Sequence, residues 1–160
     1  GVIAKELGAK KVLPLAVGGA FHTPFMAPAL EELRAAVATA TLRPPVVPVV
    51  ANVDARPCRD ADEWPGLLAA QLVSPVRWHQ SVEQLAAGGV RAVVELGPGS
   101  VRTGMAKRID PSLTHLAVAS PADLERLPAV LAGVGADAGP LATDADRLGA
   151  PLPAGRSQGA

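Results

Sequence analysis

The sequence predicts an α/β fold with a parallel sheet, and three observations carry that expectation. Short apolar runs alternate with stretches whose apolar residues recur at helical spacing. The clearest run, "VRAVVEL" from Val90 to Leu96, is almost uniformly apolar, the pattern of a parallel strand buried on both faces. Glycines bracket it, Gly88 and Gly89 before and Gly97 and Gly99 after.

Taken in order, Val2 to Lys10 carries Val2, Ile3 and Leu7 on one helical face, with Gly8 as a stop. Val12 to Val17 reads as a short strand broken by Gly18 and Gly19. The segment "MAPALEELRAAVATA" places Met26, Leu30, Leu33 and Val37 at helical spacing, with Pro28 tolerated in a first turn. "RPPVVPVVANVD" is rich in proline but β-branched, so a strand is expected from about Val46 to the Asn52–Asp54 turn. A helix is expected over Ala61 to Val73, capped by Asp60 or Asp62 and ended by Ser74-Pro75. "RWHQSVEQLAAGG" predicts another helix closed by Gly88 and Gly89. After "VRAVVEL", the segment "GPGSVRTGMAKRI" turns into a helix beginning at Ser100, "THLAVAS" is a strand, and "PADLERLPAVLAG" is a last helix. Beyond about Gly133 the composition shifts to Gly, Ala, Pro and Asp, which predicts a flexible tail.

Bulk composition excludes several functions. Fifteen basic and fifteen acidic side chains cancel, leaving no overall field to hold nucleic acid or an anionic membrane surface. One cysteine, Cys58, excludes an internal disulfide and a cysteine-rich metal site. No apolar run reaches the roughly 18–20 residues of a membrane span, and no basic-then-apolar leader opens the chain. A cytoplasmic location is therefore expected. The chain opens on Gly1, inside what reads as a helix already under way, so its beginning is expected to be missing.

Few motifs carry chemistry. "GRSQG", Gly155 to Gly159, matches the G-x-S-x-G nucleophile elbow, but lacks the flanking strand and helix that strain such a turn, and reads as chance. "ELGPGSVRTGM" suggests a phosphate loop. The third glycine of a dinucleotide fingerprint is replaced by Arg102, so Gly97 and Gly99 are read as serving a tight turn. Among the histidines, His79 and His115 have no metal-ligand spacing and read as structural or exposed. His22 differs, because it follows an apolar run at the strand-to-loop position where α/β folds place chemistry.

Four blocks, "GAFHTPFMAPAL", "VPVVANVD", "QLVSPVRWHQSV" and "ELGPGSVRTGMAKRI", together resemble the second half of malonyl-CoA:acyl carrier protein transacylases, in the same order and spacing. The resemblance covers about Val2 to Leu127. It implies the C-terminal half of an α/β-hydrolase-like acyltransferase domain over residues 18–128. It further implies the last helix and strand of a ferredoxin-like subdomain over 1–17, leaving 129–160 as tail. In that family a serine takes malonyl from malonyl-CoA and passes it to the phosphopantetheine thiol of acyl carrier protein, with no bound cofactor or metal.

By this resemblance His22 is the general base for the serine and then for the thiol, and the general acid between. Imidazole suits both duties because it exchanges protons near neutral pH. The matching acceptor for its other ring N–H is the main-chain carbonyl of Gln71, at a helix end where carbonyls lack intrahelical partners. Phe21 is the implied substrate-binding residue, its ring filling space that an α-methyl branch would need. Asn52 is read as holding its turn. The family's serine elbow, oxyanion-hole segment and carboxylate-binding arginine belong to its first half, so this chain alone is expected to be inactive and poorly stable. Rival readings are a polyketide synthase acyltransferase domain, a non-catalytic remnant docking acidic carrier protein through Arg102, Lys107 and Arg108, and, most distantly, a nucleotide-binding protein.

Overall fold

The computed structural model describes residues 1–13 and 17–136. The strand expected over Val12–Val17 is centred on residues 14–16, and the "GRSQG" match and most of the expected tail likewise lie outside the described residues. Val12, Leu13 and Val17 are exposed and irregular.

Helix α1 spans Val2–Glu6, shorter than expected, and Gly8 at φ +90° ends its last turn. The segment from Met26 divides. A 3-10 stretch covers Pro24–Ala29, and only then does α2 run from Leu30 to Ala38. Pro28 has no N–H to donate to Pro24 O, so an α-helical ladder cannot run through it from Pro24.

Strand β1 is only Val49–Ala51. The strand expected from Val46 begins three residues late because Pro48 removes a ladder donor, and Val46 is fully exposed. Its antiparallel partner β2, Arg56–Cys58, is not among the expected strands, and it contains Pro57. In a two-stranded ribbon both strands are edges, where a missing N–H costs the ladder little. The turn between them holds Ala55 at φ +60°, with its N–H on Ala51 O at 2.8 Å.

A 3-10 turn, Ala61–Glu63, leads into α3, Trp64–Val73. Asp60 is the cap, its carboxylate accepting from Asp62 N at 3.0 Å. Helix α4, Trp78–Ala87, ends at Gly88 and Gly89. Strand β3 (Ala92–Leu96), α5 (Val101–Ile109) and β4 (Thr114–Val118) follow as a crossover unit, with β3 and β4 parallel from Ala92↔Thr114 to Leu96↔Val118. The sheet is therefore parallel as the pattern predicts. It is not buried on both faces: Ala92, Val93 and Val94 are half-buried and Leu96 is 72% exposed, because β4 is the only strand paired with β3 among the described residues.

After a 3-10 segment, Pro121–Arg126, helix α6 runs Leu127–Ala136. Residues 129–133, which the helical pattern gave to a last helix and the domain division to the tail, are thus helical, and so are residues 134–136, which composition gave to the tail. The core lies where α4 and α5 meet the parallel pair, with Val82, Ala106 and Leu113 buried against Trp78, Ala86, Val93 and Ile109. No helix among the described residues is long and apolar enough to cross a membrane.

Candidate active site

His22 sits in a turn that the sequence "AFHTPF" closes locally. Thr23 Oγ1 donates to Ala20 O at 2.6 Å, and His22 takes φ +64°, the left-handed region that strains a residue bearing a Cβ. Two contacts 49 and 50 residues away hold it there. The His22 N–H donates to Leu72 O at 3.0 Å, and the ring Nδ1 lies 2.8 Å from Gln71 O. Both acceptors belong to the last turn of α3, whose carbonyls have no intrahelical N–H to bind. A carbonyl can only accept, so Nδ1 is the donor of this bond, and in the neutral ring the lone pair then lies on Nε2. His22 is exposed, which leaves that lone pair available.

Gln71 contributes more than its carbonyl. Its side-chain Nε2 donates to Ser74 O at 3.0 Å and lies 3.3 Å from His22 Nδ1, while its Oε1 is buried without a partner. Phe21 precedes His22 and is 58% exposed, its ring seated so closely on Gly19 that a Cβ there would lie 3.0 Å from the ring edge. Phe25, three residues beyond His22, is 84% exposed. The only two phenylalanines of the chain therefore lie on either side of His22 in sequence, and both are exposed. Sequence reasoning singled out Phe21 and passed over Phe25. The shortage of aromatics was the signal that could have found both.

The glycine-rich turn is filled from within. Glu95, buried on β3, accepts Thr103 N at 2.8 Å, Thr103 Oγ1 at 2.7 Å and Arg102 N at 3.3 Å, and Arg102 Nη1 stands 3.5 Å away. These bonds, the Thr103 N–H first, hold the Glu95 carboxyl below the ordinary glutamate range. Two first-turn N–H groups of α5 that a phosphate would use, those of Arg102 and Thr103, are already taken by this carboxylate. Gly97 and Gly99, at φ +121° and +98°, serve the turn that allows it.

The other candidates stand apart in role. His79 Nε2 pairs with Glu83 at 3.2 Å on one exposed helix face, and His115 Nε2 donates to Asp110 O at 3.0 Å. Cys58 is buried, its thiol on Asp60 O. The main-chain carbonyl of Asn52 accepts Arg77 N at 2.7 Å, which ties the end of β1 to the start of α4. Among the described residues no group of three or more His, Cys, Asp or Glu could hold a metal ion. An apolar groove of about 520 Å³ lies between α2 and α3, lined by Leu30, Val37, Ala69 and Val73.

No protein-family model matches the chain. Curated relatives do. Malonyl CoA-acyl carrier protein transacylase of Salmonella typhimurium is 44% identical over 124 residues, 78% of this chain and 40% of the relative. The same enzyme of Bacillus subtilis is 38% identical over 123 residues, 77% of this chain and 39% of the relative. The chain belongs, as a partial C-terminal match, to the malonyl CoA-acyl carrier protein transacylases.

Solved transacylase structures agree over the matched length. An acyl carrier protein S-malonyltransferase from Vibrio cholerae aligns with a TM-score of 0.73 at 42% identity, covering 79% of this chain and 41% of that one. A type II polyketide synthase acyl-carrier protein in complex with its malonyl-transacylase gives a TM-score of 0.73 at 38% identity, over 81% and 41%. The chain thus spans about 40% of the length of the transacylases it matches.

Proposed function

We propose that the chain supplies the histidine side of a malonyl transfer site, working on malonyl-CoA and the phosphopantetheine thiol of acyl carrier protein. The observation that supports this best is the 2.8 Å contact between His22 Nδ1 and Gln71 O, which leaves Nε2 as an exposed base. In the proposed cycle Nε2 takes the proton of a serine hydroxyl as that oxygen attacks the malonyl thioester. The resulting imidazolium returns a proton to the departing CoA sulfur. Next Nε2 takes the proton of the incoming carrier thiol, whose sulfur attacks the acyl-serine ester, and the serine oxygen recovers its proton from Nε2. Throughout, the Gln71 carbonyl keeps the Nδ1 proton in place and steadies the imidazolium.

The serine is assigned to the first half of the enzyme, where the family carries its elbow, since the one G-x-S-x-G match in this sequence, Gly155 to Gly159, lacks the flanking strand and helix pattern and reads as chance. The chain alone is accordingly read as inactive, and as the C-terminal half of the acyltransferase domain with the end of its small subdomain. Phe21 is read as bounding the acyl pocket, where its ring disfavours a branched acyl group. The exposed Lys107 and Arg108 of α5 suit an acidic carrier protein, whereas Arg102 is engaged by Glu95.

The test grafts this chain in place of the matched part of the Salmonella typhimurium transacylase and follows malonyl transfer to holo-carrier protein. The graft should transfer malonyl, and His22→Ala should lower the rate by roughly 10²–10⁴-fold, the usual contribution of a general base. A folded His22→Ala graft, shown by an unchanged melting transition, that keeps its rate would overturn the assignment.

A further inference from the structure

We propose that Pro75 is a positioning residue for His22, reserving the Gln71 carbonyl for the imidazole by withholding the backbone N–H that would otherwise claim it. The inference deepens the reading of His22 as a base and concerns how its tautomer is chosen.

In an uninterrupted α-helix the carbonyl of residue 71 accepts from the N–H of residue 75, and that of residue 72 from residue 76. Residue 75 is proline, which has no N–H and whose ring also pushes residue 74 out of helical geometry. Ser74 accordingly takes φ −126°, ψ +149°, and α3 stops at Val73. Two consecutive carbonyls are thereby released, and both are taken up by one residue. Gln71 O receives the His22 ring at 2.8 Å, and Leu72 O receives the His22 N–H at 3.0 Å.

The Gln71 side chain fixes the turn, its Nε2 donating to Ser74 O at 3.0 Å. That same Nε2 lies 3.3 Å from His22 Nδ1, where it could donate only if Nδ1 were bare. Gln71 therefore offers Nδ1 an acceptor and a donor together, and each favours a different tautomer. The carbonyl is closer, and it wins because no backbone N–H competes for it. Proline at 75 thus converts a helix end into a tautomer-setting device.

The experiment reads the tautomer directly, so it needs no acyl transfer and can fail independently of the proposed activity. Nitrogen-15 NMR of the full chain, labelled at histidine, distinguishes protonation at Nδ1 from protonation at Nε2, with His79 and His115 as internal reporters of folding. Wild-type His22 should be mainly protonated at Nδ1. Pro75→Ala restores an N–H, and should shift the ratio towards the Nε2-protonated form by about fivefold, the worth of one ordinary hydrogen bond. Replacing Pro75 by lactic acid, which has the alanine side chain but an ester oxygen in place of N–H, should keep the wild-type ratio. Gln71→Met, which keeps the carbonyl but loses the side-chain donor, should also leave Nδ1 protonated.

Equal ratios in the folded alanine and lactate proteins would overturn the proposal, because the N–H would then be irrelevant. A wild-type His22 protonated mainly at Nε2 would overturn it without any variant. So would a Gln71→Met chain that loses the Nδ1 form, since the side-chain amide would then be the determinant. Should Pro75→Ala fail to fold, the lactate, Gln71→Met and wild-type spectra still decide.

Discussion

Replacing His22 by glycine should give a more stable chain than replacing it by alanine, the reverse of the order found at most positions. Both variants lose the ring's bond to Gln71 O and both keep the backbone N–H that Leu72 O accepts, so those contributions cancel in the comparison. What remains is the backbone. At φ +64° a residue with a Cβ bears roughly 1–2 kcal/mol of left-handed strain, which glycine does not. Against this, glycine loses about 0.5–1 kcal/mol more conformational entropy on folding than alanine. The balance favours glycine by roughly 0–1.5 kcal/mol, centred near 0.75 kcal/mol. Equilibrium urea unfolding of the two variants, compared at equal slope, measures the difference directly. A His22→Ala chain clearly more stable than His22→Gly would refute the claim that the turn is left-handed. It would also remove the reason to regard His22 as held under strain by the end of α3.

Three further outcomes follow from the described residues. Glu95 has a lowered folded pKa, so it binds fewer protons folded than unfolded near the ordinary glutamate range. Its contribution is complete above that range and disappears as pH falls through the lowered value, so melting temperature should drop with acidification in the wild type and less steeply in Glu95→Gln. Gly99→Ala should cost about 1 kcal/mol or more in urea unfolding, from φ +98° alone, since nothing lies within 4 Å of the added carbon. Gly104→Ala, inside α5 with the same empty surroundings but ordinary φ, should instead stabilise by about 0.5–1 kcal/mol in the same assay. Malonyl transfer by the graft gives the functional counterpart, and the His22 tautomer ratio gives the positional one.

The sequence was most legible where one local signal settled the structure. Gly88 and Gly89 end α4, and Ser100 opens α5, because these depend on neighbours within a turn. It was least legible where two local rules competed. Arg56–Cys58 pairs with Val49–Ala51 although it holds Pro57 and shows no strand pattern, and Pro28 splits a periodic stretch into 3-10 and α segments. Periodicity reports which face is apolar and says little about which edge lacks a neighbour, so the exposure of Leu96 was not visible in "VRAVVEL".

For the candidate site the limit was distance along the chain. His22 and the carbonyl it meets are 49 residues apart, and no pattern within "GGAFHTPFM" names its partner. The family resemblance paired the two positions. The physical reason for the pairing lies three residues past Leu72, in "SP", which the sequence also marks as a helix stop. A proline that ends a helix also leaves carbonyls without donors, and buried or half-buried carbonyls find partners elsewhere. Helix stops of this kind are therefore places to look for the acceptor of a remote N–H. Here that remote residue supplies both of its own N–H groups, one from the backbone and one from the ring. Its backbone is thus tied to the helix end that orients its side chain, so turning the ring away from Gln71 leaves the Leu72 bond intact and returns it to the same carbonyl.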